Sequence, residues 1–424
     1  MRTALAATWT LLLGMALLML GAGLQGTLVG LRASLEGFPT LLSGFMLAAY
    51  YLGYMAGSMM TPGLVNTVGH VRVFAALTSV ASVLILLQGV FVAPLPWTLV
   101  RILFGFCFAG IYVVAESWLN GRVDNQHRGL LLSIYMLVCY GGLGLGQLLL
   151  NVADPRSTLL FILVSILISV AMVPMALTPA SAPEITVPVR VSPRNLFRRS
   201  PLGVAGVAVA GAVSGCLFSL GALYADGKGF STFEVSLFMA VAILAGCAAQ
   251  LPIGRLSDRM DRRTVVIAVC LLAAIGAIGA WWLADVSRLA FFAMIAAYGG
   301  TSLTLYSLSS AHVNDLVPDE EKLGASSTLI LVNGAGAFIA PILVAGVMEL
   351  AGNDTFLPLL AVMHVLLAGY ALVRKTRRAP GQGEHKSPFV GTPLGTASSG
   401  ELFGHASDRD ETDPAGSVTG AAER

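Results

Sequence analysis

Charge is scarce in this chain. Only 11% of its 424 residues are Asp, Glu, Lys or Arg, against about 25% in a typical soluble domain. The shortage is deeper than the average suggests, because residues 375–424 hold 13 of the 48 charged residues and leave 35 for the 374 before them. With 56% hydrophobic residues and a mean hydropathy of +0.80, soluble, disordered and coiled-coil classes are all excluded. Neither sign of charge prevails: 25 Lys+Arg face 23 Asp+Glu for a net +2, so nothing suits nucleic acid. Cysteine is equally sparse. Cys107, Cys139, Cys216, Cys247 and Cys270 stand singly in apolar runs, without CxxC spacing or a partner His, and read as small core residues rather than disulfide or metal ligands. The sequence lacks a Gly-x-x-x-x-Gly-Lys-Ser/Thr phosphate loop and any loop long enough for a nucleotide-binding domain, which excludes direct drive by ATP. The apolar segments also lack the clustered His, Asp or Ser an intramembrane enzyme needs, so neither catalysis nor a cofactor is expected.

Apolar length is what the chain has instead. A hydrocarbon core about 30 Å thick takes roughly 20 apolar residues per helix. Twelve runs qualify: 6–31, 39–61, 73–93, 97–119, 129–151, 157–178, 201–224, 231–253, 264–284, 288–310, 323–350 and 355–373. The first is too long for a secretory signal core of about 7 to 15 residues, since it continues through Gln25 to Leu31. If the amino terminus is placed inside, 17 basic residues fall on the cytoplasmic side and only Arg32, Arg156, Lys228 and Arg288 outside. That asymmetry over short loops orients the chain and requires an even number of spans, with both termini cytoplasmic in a plasma (inner) membrane. Trp9, Trp97, Trp118, Trp281 and Trp282 fall at span ends, where indole rings prefer the interface.

The chain also repeats itself. Residues 23–73 align without a gap to 215–265, an offset of 192, with 12 identities in 51 positions. The clearest block is Gly37-Phe38-Pro39-Thr40 against Gly229-Phe230-Ser231-Thr232. The expected fold is therefore all-α and integral to the membrane, twelve helices in two pseudo-symmetric six-helix bundles. The halves are 1–178 and 201–374, joined by a Pro- and Arg-rich cytoplasmic linker at 179–200. Residues 375–424, with 22 Gly, Pro, Ser or Thr among 50, are expected to form a disordered cytoplasmic tail whose first basic residues rest on anionic membrane lipid. Parallel repeats of this kind can rock about a site near the midplane. Secondary transport of a small-molecule substrate by a monomer is the expected function, and a transporter-like receptor with the tail as its output is the alternative.

The strongest motif is Gly254-Arg255-Leu256-Ser257-Asp258-Arg259-Met260-Asp261-Arg262-Arg263, read as the turn after the eighth span. Gly permits a sharp turn, Asp can cap or face the positive end of a helix, and the arginines meet phosphates or acidic partners. A decayed copy stands at the repeat offset, Pro62-Gly63-Leu64-Val65-Asn66-Thr67-Val68-Gly69-His70-Val71-Arg72, with Asn66 in place of the Asp. The pair resembles the loop motif Gly-x-Leu-Ala-Asp-Arg-x-Gly-Arg-Arg of the major facilitator superfamily. Ala115-Glu116-Ser117-Trp118-Leu119 and Asn314-Asp315-x-x-Pro318 further resemble its YcaD-like branch. The resemblance implies the major facilitator fold, alternating access, and an inner gate involving Asn66, Gly69, Arg72, Gly254, Asp258, Arg259, Arg262 and Arg263. The second copy departs from the motif at Asp261, where the family usually has Gly, and the first departs at Pro62 and Asn66.

Polar groups at membrane depth complete the candidates. Arg101, four residues before Gly105, resembles the arginine of the family's fourth-helix motif, for which proton coupling is implied; the alternative is a side chain snorkelling to the interface. Glu116 falls within 60° of Arg101 on the helical wheel, with Tyr112 on the same broad face. Glu116 is read as a gate partner of Arg72 or as a proton carrier. In the tenth span Tyr298, Ser302 and Tyr306 repeat at helical spacing, and the resemblance implies a cavity wall there, with interhelical packing as the alternative. Gln25 is a further cavity candidate. His364 reads as a packed residue, and the glycines between Gly141 and Gly146 as sites of close helix approach.

Overall fold

A computed structural model of the chain describes residues 2–121, 125–177 and 191–377. Residues 122–124 (Arg122 among them), Thr178, residues 179–190 of the expected linker and the tail from 378 lie outside the described residues, as do the side chains of Arg2, Arg128 and Arg377. The described residues are helical throughout, apart from short turns and one-turn 3₁₀ segments. The first half is built from α1 (Arg2–Leu35), α2 (Thr40–Val68), α3 (His70–Val90), α4 (Pro94–Gly121), α5 (Asn125–Leu148) and α6 (Leu159–Ala176). After the short α7 (Pro193–Arg199) come α8 (Pro201–Gly227), α9 (Thr232–Arg259), α10 (Arg262–Leu283), α11 (Arg288–Ser302), α12 (Leu305–Asn314), α13 (Asp319–Ala351) and α14 (Phe356–Arg377).

Eleven of the resulting spans are long and apolar enough to cross a membrane by length and composition. The remaining long helix is α2. It has the length but is diluted by Tyr50, Tyr51, Tyr54 and several glycines. The tenth expected span is divided between α11 and α12 by a break at Leu303–Thr304, where the side-chain amide of Gln250 donates to the Leu303 carbonyl at 3.4 Å. Two other boundaries move. The residues Pro62–Val68 and Gly254–Arg259, expected in turns, are the last turns of α2 and α9. Each helix runs on past an internal proline, Pro62 or Pro252, and the chain reverses only at Gly69 and at Met260–Asp261.

The repeat seen in the sequence is repeated in the backbone. Gly37 and Gly229 adopt φ of +71° and +73°, the left-handed conformation that glycine reaches without a Cβ penalty. Each ends its helix with the same pair of bonds: Gly37 N to Ser34 O and Phe38 N to Ala33 O, matched by Gly229 N to Asp226 O and Phe230 N to Ala225 O. These are helix-ending αL turns of one design. The side chains at one repeat position also meet, because Ser34 Oγ donates to Asp226 Oδ2 across an interval of 192 residues. A contact between equivalent residues places them beside the pseudo-two-fold axis relating the bundles.

Glycine sets how closely the helices approach. A Cβ on Gly53 would collide with the Ile102 carbonyl and one on Gly105 with the Tyr50 carbonyl, so α2 and α4 meet backbone to backbone. Gly23 and Gly146 do the same for α1 and α5. Between the halves, α2 packs on α13, α5 on α9 and α1 on α8. Those seams carry a bond from Leu41 N to Glu349 (2.7 Å), one from Asn151 to Ser236 (2.8 Å), and an edge contact of Phe45 with Phe338 (6.3 Å between centroids). All three lie toward the Gly37 and Gly229 end. The described part of the linker docks on the second half: Leu196 of α7 is buried, Thr328 Oγ1 donates to Val191 O, and Arg199 pairs with Glu321 at 2.6 Å.

Candidate functional site

Arg101 is the organising residue. It lies seven residues into α4, about 10 Å along the axis, and is only 5% exposed. It does not snorkel to the interface. An arginine at the centre of a membrane helix costs about 2.5–3.5 kcal/mol on insertion scales, and this one is held by neutral groups. Nη1 donates to Gln25 Oε1 at 3.0 Å and Nη2 to the Leu47 carbonyl at 3.4 Å, while Nε has no partner among the described residues. The Tyr50 ring lies under the guanidinium at 5.1 Å, a cation–π arrangement that the close Gly53/Gly105 crossing of α2 and α4 permits. Gln25 is braced in turn, its Nε2 donating to Gln88 Oε1 at 3.4 Å, and Gln88 accepts the Trp97 indole N–H on its carbonyl at 2.9 Å.

Beside Arg101 is a cavity of about 130 Å³ between the two halves. Gln25, Tyr50, Tyr51, Tyr54, Arg101, Phe104, Phe108 and Tyr112 line it from the first half, and Ser214, Phe218, Ile330 and Asn333 from the second. The structure thus brings three expected residues, Gln25, Arg101 and Tyr112, to one wall; the Tyr112 hydroxyl donates to Met19 Sδ at 3.0 Å. Glu116 does not share that wall. It is 15 residues further along α4, about 22 Å away along the axis, and buried at 3% exposure. Tyr54, Tyr112, Tyr135 and Tyr306 lie within its electrostatic reach. Arg72 is exposed. Tyr298 and Ser302 face α14 instead of the cavity: His364 donates through Nδ1 to the Leu360 carbonyl, accepts from Ser302 Oγ at 3.1 Å, and meets the Tyr298 ring edge-on at 5.7 Å. Tyr306 is buried in the core of the second half.

Residue-by-residue reasoning missed the tyrosines of α2 and Asn333 of α13. The signal available was Tyr50-Tyr51-x-x-Tyr54, three phenols in one otherwise apolar run. It missed a second constellation at the far end of the bundle. Arg262, 2% exposed, pairs through Nη2 with Asp258 at 3.3 Å and through Nε with Asp315 at 2.8 Å, tying α9 and α10 to the end of α12. Asp258 stands in the same motif as Arg262, whereas Asp315 stands in one recognised separately, and only the fold brings it beside them. Next to it Asp261 caps α10 by accepting from Arg263 N at 2.9 Å. Partial burial works against its charge, but the Arg263 side chain and backbone N–H offset this and hold the carboxyl below its ordinary value. At the Gly37 end Lys228 bridges Asp285 (2.9 Å) and Asp354 (3.0 Å). Burial opposes the Lys228 charge, and the two carboxylates more than offset it, so its pKa is raised.

Comparison with known proteins agrees with the helical fold. The Major Facilitator Superfamily matches residues 11–341 and 234–407. An uncharacterized MFS-type transporter of Enterobacter sp. (strain 638) is 28% identical over 345 residues, covering 81% of this chain and 87% of its own. The uncharacterized MFS-type transporter YcaD of Escherichia fergusonii is 28% identical over 341 residues, 80% of this chain and 87% of the relative. Among solved structures, the nucleoside transporter NupG superposes with a TM-score of 0.73 at 13% identity, covering 87% of this chain and 98% of NupG. A bacterial homolog of the human lysosomal transporter Spinster, inward-facing and occupied, gives 0.70 at 15% identity, over 87% and 96% of the two chains. At those identities the structures speak for the fold.

Proposed function

The chain belongs to the Major Facilitator Superfamily and is an integral membrane transporter, and from that premise we propose a monomeric secondary active carrier that moves a small solute by alternating access, coupled to protons. The observation that carries this reading is the cavity around Arg101, lined by side chains from both halves. The halves taken as rocking units are 1–178 and 201–374, with 179–200 linking them. Ser34 and Asp226 meet near the pseudo-two-fold axis, where relative rotation displaces atoms least, so that end can act as a pivot. The Asp258–Arg262–Asp315 set at the other end braces α9, α10 and α12 as one unit, and supports a gate role for Asp258, Arg259, Arg262 and Arg263. In the first half Asn66, Gly69, Arg72 and Gly254 of the second keep the roles that the motif implies. The excess of basic residues in loops on the Gly69 and Asp261 side supports a cytoplasmic position for that side, and an inner (plasma) membrane location goes with this reading.

For coupling, Glu116 is the buried carboxyl of the first half proposed to take up a proton, with phenols within its electrostatic reach, while Arg101 holds the charge at the cavity. Full-length protein in sealed liposomes with an entrapped pH dye tests the reading. Addition of carboxylates, amines and sugars in turn should give, for one class, solute uptake accompanied by proton movement. Glu116→Gln should abolish gradient-driven uptake and spare counterflow. Loss of both activities would make Glu116 a gate residue, and saturable binding with no flux would replace the carrier by a receptor.

A further inference from the structure

Among the described residues, no counter-charge faces the charge at the cavity. Arg101 is the one ionisable side chain other than tyrosine among the residues that line it, and every bond it makes goes to an uncharged acceptor, Gln25 Oε1 or the Leu47 carbonyl. A buried cation in such surroundings is left with unmet demand for an anion. Arginine meets a carboxylate through parallel N–H donors better than any other side chain does. The remaining wall has a different chemistry. Tyr50, Tyr51, Phe104, Phe108 and Phe218 present flat apolar surface, and the polar groups beside it are neutral: the phenols of Tyr50, Tyr51, Tyr54 and Tyr112, the Ser214 hydroxyl and the Asn333 amide. The size is restrictive too. At about 130 Å³ the cavity is close to an engineered protein cavity of about 150 Å³ that accommodates benzene. A second carboxylate would have no partner there, and an ammonium would meet a like charge.

Resting on the reading of this cavity as the transport site, we infer that its ligand is a small monocarboxylate with an aromatic or compact apolar body, its carboxylate on Arg101 and its body against the α2, α4 and α8 rings. Gln25 then has a definite part: it steadies the guanidinium without neutralising it. Glutamate in its place would stand 3.0 Å from Nη1 and supply from within the protein the charge that the ligand brings.

The test is calorimetric titration of benzoate, benzyl alcohol and benzylamine into the full-length protein in detergent at neutral pH. Benzoate should bind, with the alcohol and the amine at least about tenfold weaker, the value of a charge-assisted bond lost. Gln25→Glu should weaken benzoate at least about tenfold and raise the melting temperature of the unliganded protein. Arg101→Gln should weaken it similarly, and Arg156→Gln, in a loop remote from the cavity, should bind as the unaltered chain does. Arg101→Gln can fail to fold; Gln25→Glu, nearly isosteric and adding an ion pair, keeps the question decidable. Benzylamine or benzyl alcohol binding as tightly as benzoate, benzoate failing to bind, or unchanged affinity in Gln25→Glu would each overturn the inference. Benzoate binding without gradient-driven flux would instead remove the carrier reading and leave the anion site in place.

Discussion

The two copies of the repeat loop, 62–72 and 254–264, fold alike but are fastened by opposite means. Position 262 in the second copy is Arg262, buried and paired with Asp258 and Asp315. The equivalent position 70 is His70, also buried, whose Nε2 shares a 2.9 Å hydrogen bond with Ser117 Oγ while its ring meets Trp118 edge-on. Both side chains reach the end of the fourth helix of their own half, α4 for His70 and α12 for Arg262. Position 69 is a glycine at φ +93°; its counterpart, Asp261, keeps an ordinary φ of −59° and caps the next helix with its side chain. One copy thus turns by backbone freedom and holds by a neutral bond, whereas the other turns with a cap and holds by ion pairs. The repeat conserves the place of the fastening, and its chemistry is free to differ.

The largest effect that could break this contrast is expected at Arg262. Arg262→Met removes the common partner of Asp315 and Asp258, which are 17% and 40% exposed, and should destabilise the protein by about 2 kcal/mol. The same replacement at His70 removes a neutral bond and should cost about 1 kcal/mol. Thermal unfolding of the two variants in detergent measures the difference, and equal losses would end the distinction. Next in size, the first copy can be given the chemistry of the second. His70→Arg with Ser117→Asp should show a favourable coupling of about 1 kcal/mol in a double-mutant cycle, and zero or unfavourable coupling would mean that the two sites differ in more than charge. Smallest is the turn itself. Asp261→Gly replaces a capping side chain by the residue of the first copy and should cost only a few tenths of a kcal/mol, whereas Gly69→Ala, forced to a positive φ, should cost about 1 kcal/mol; the ratio of the two shifts in unfolding temperature is the check.

Much of the architecture was legible because membranes impose it. Apolar length, the basic asymmetry and a gapless repeat are each consequences of a hydrocarbon slab and a duplicated bundle, and they appear in one dimension. The turn at Gly37 and its copy at Gly229 could be read from four letters each. The site was legible only in part. Arg101, Gln25 and Tyr112 stand out as polar residues in apolar runs, but which wall they share depends on the α2–α4 crossing, set by Gly53 and Gly105 on separate helices. Tyr298 and Ser302 have the spacing of a cavity stripe and yet face His364, because a period defines a face without saying what lies opposite. The Arg262–Asp315 pair was hidden for the same reason, its members being 53 residues apart in two motifs that sequence alone keeps separate.

One helix carries a cost that arises before any solute is bound. Three of the cavity tyrosines come from α2, and α2 is the long helix that falls short of the apolarity of the other spans. While the chain is being made, α2 must enter the bilayer before α4 exists to cover its phenols and glycines. Its neighbours α1 and α3 are both strongly apolar and connect to it through turns of only a few residues, so the entry of α2 is a joint event with theirs. Further polar substitutions in α2 should therefore lower the amount of inserted protein more than the same substitutions in α3, and the residues that shape the cavity bear on assembly as well as on binding.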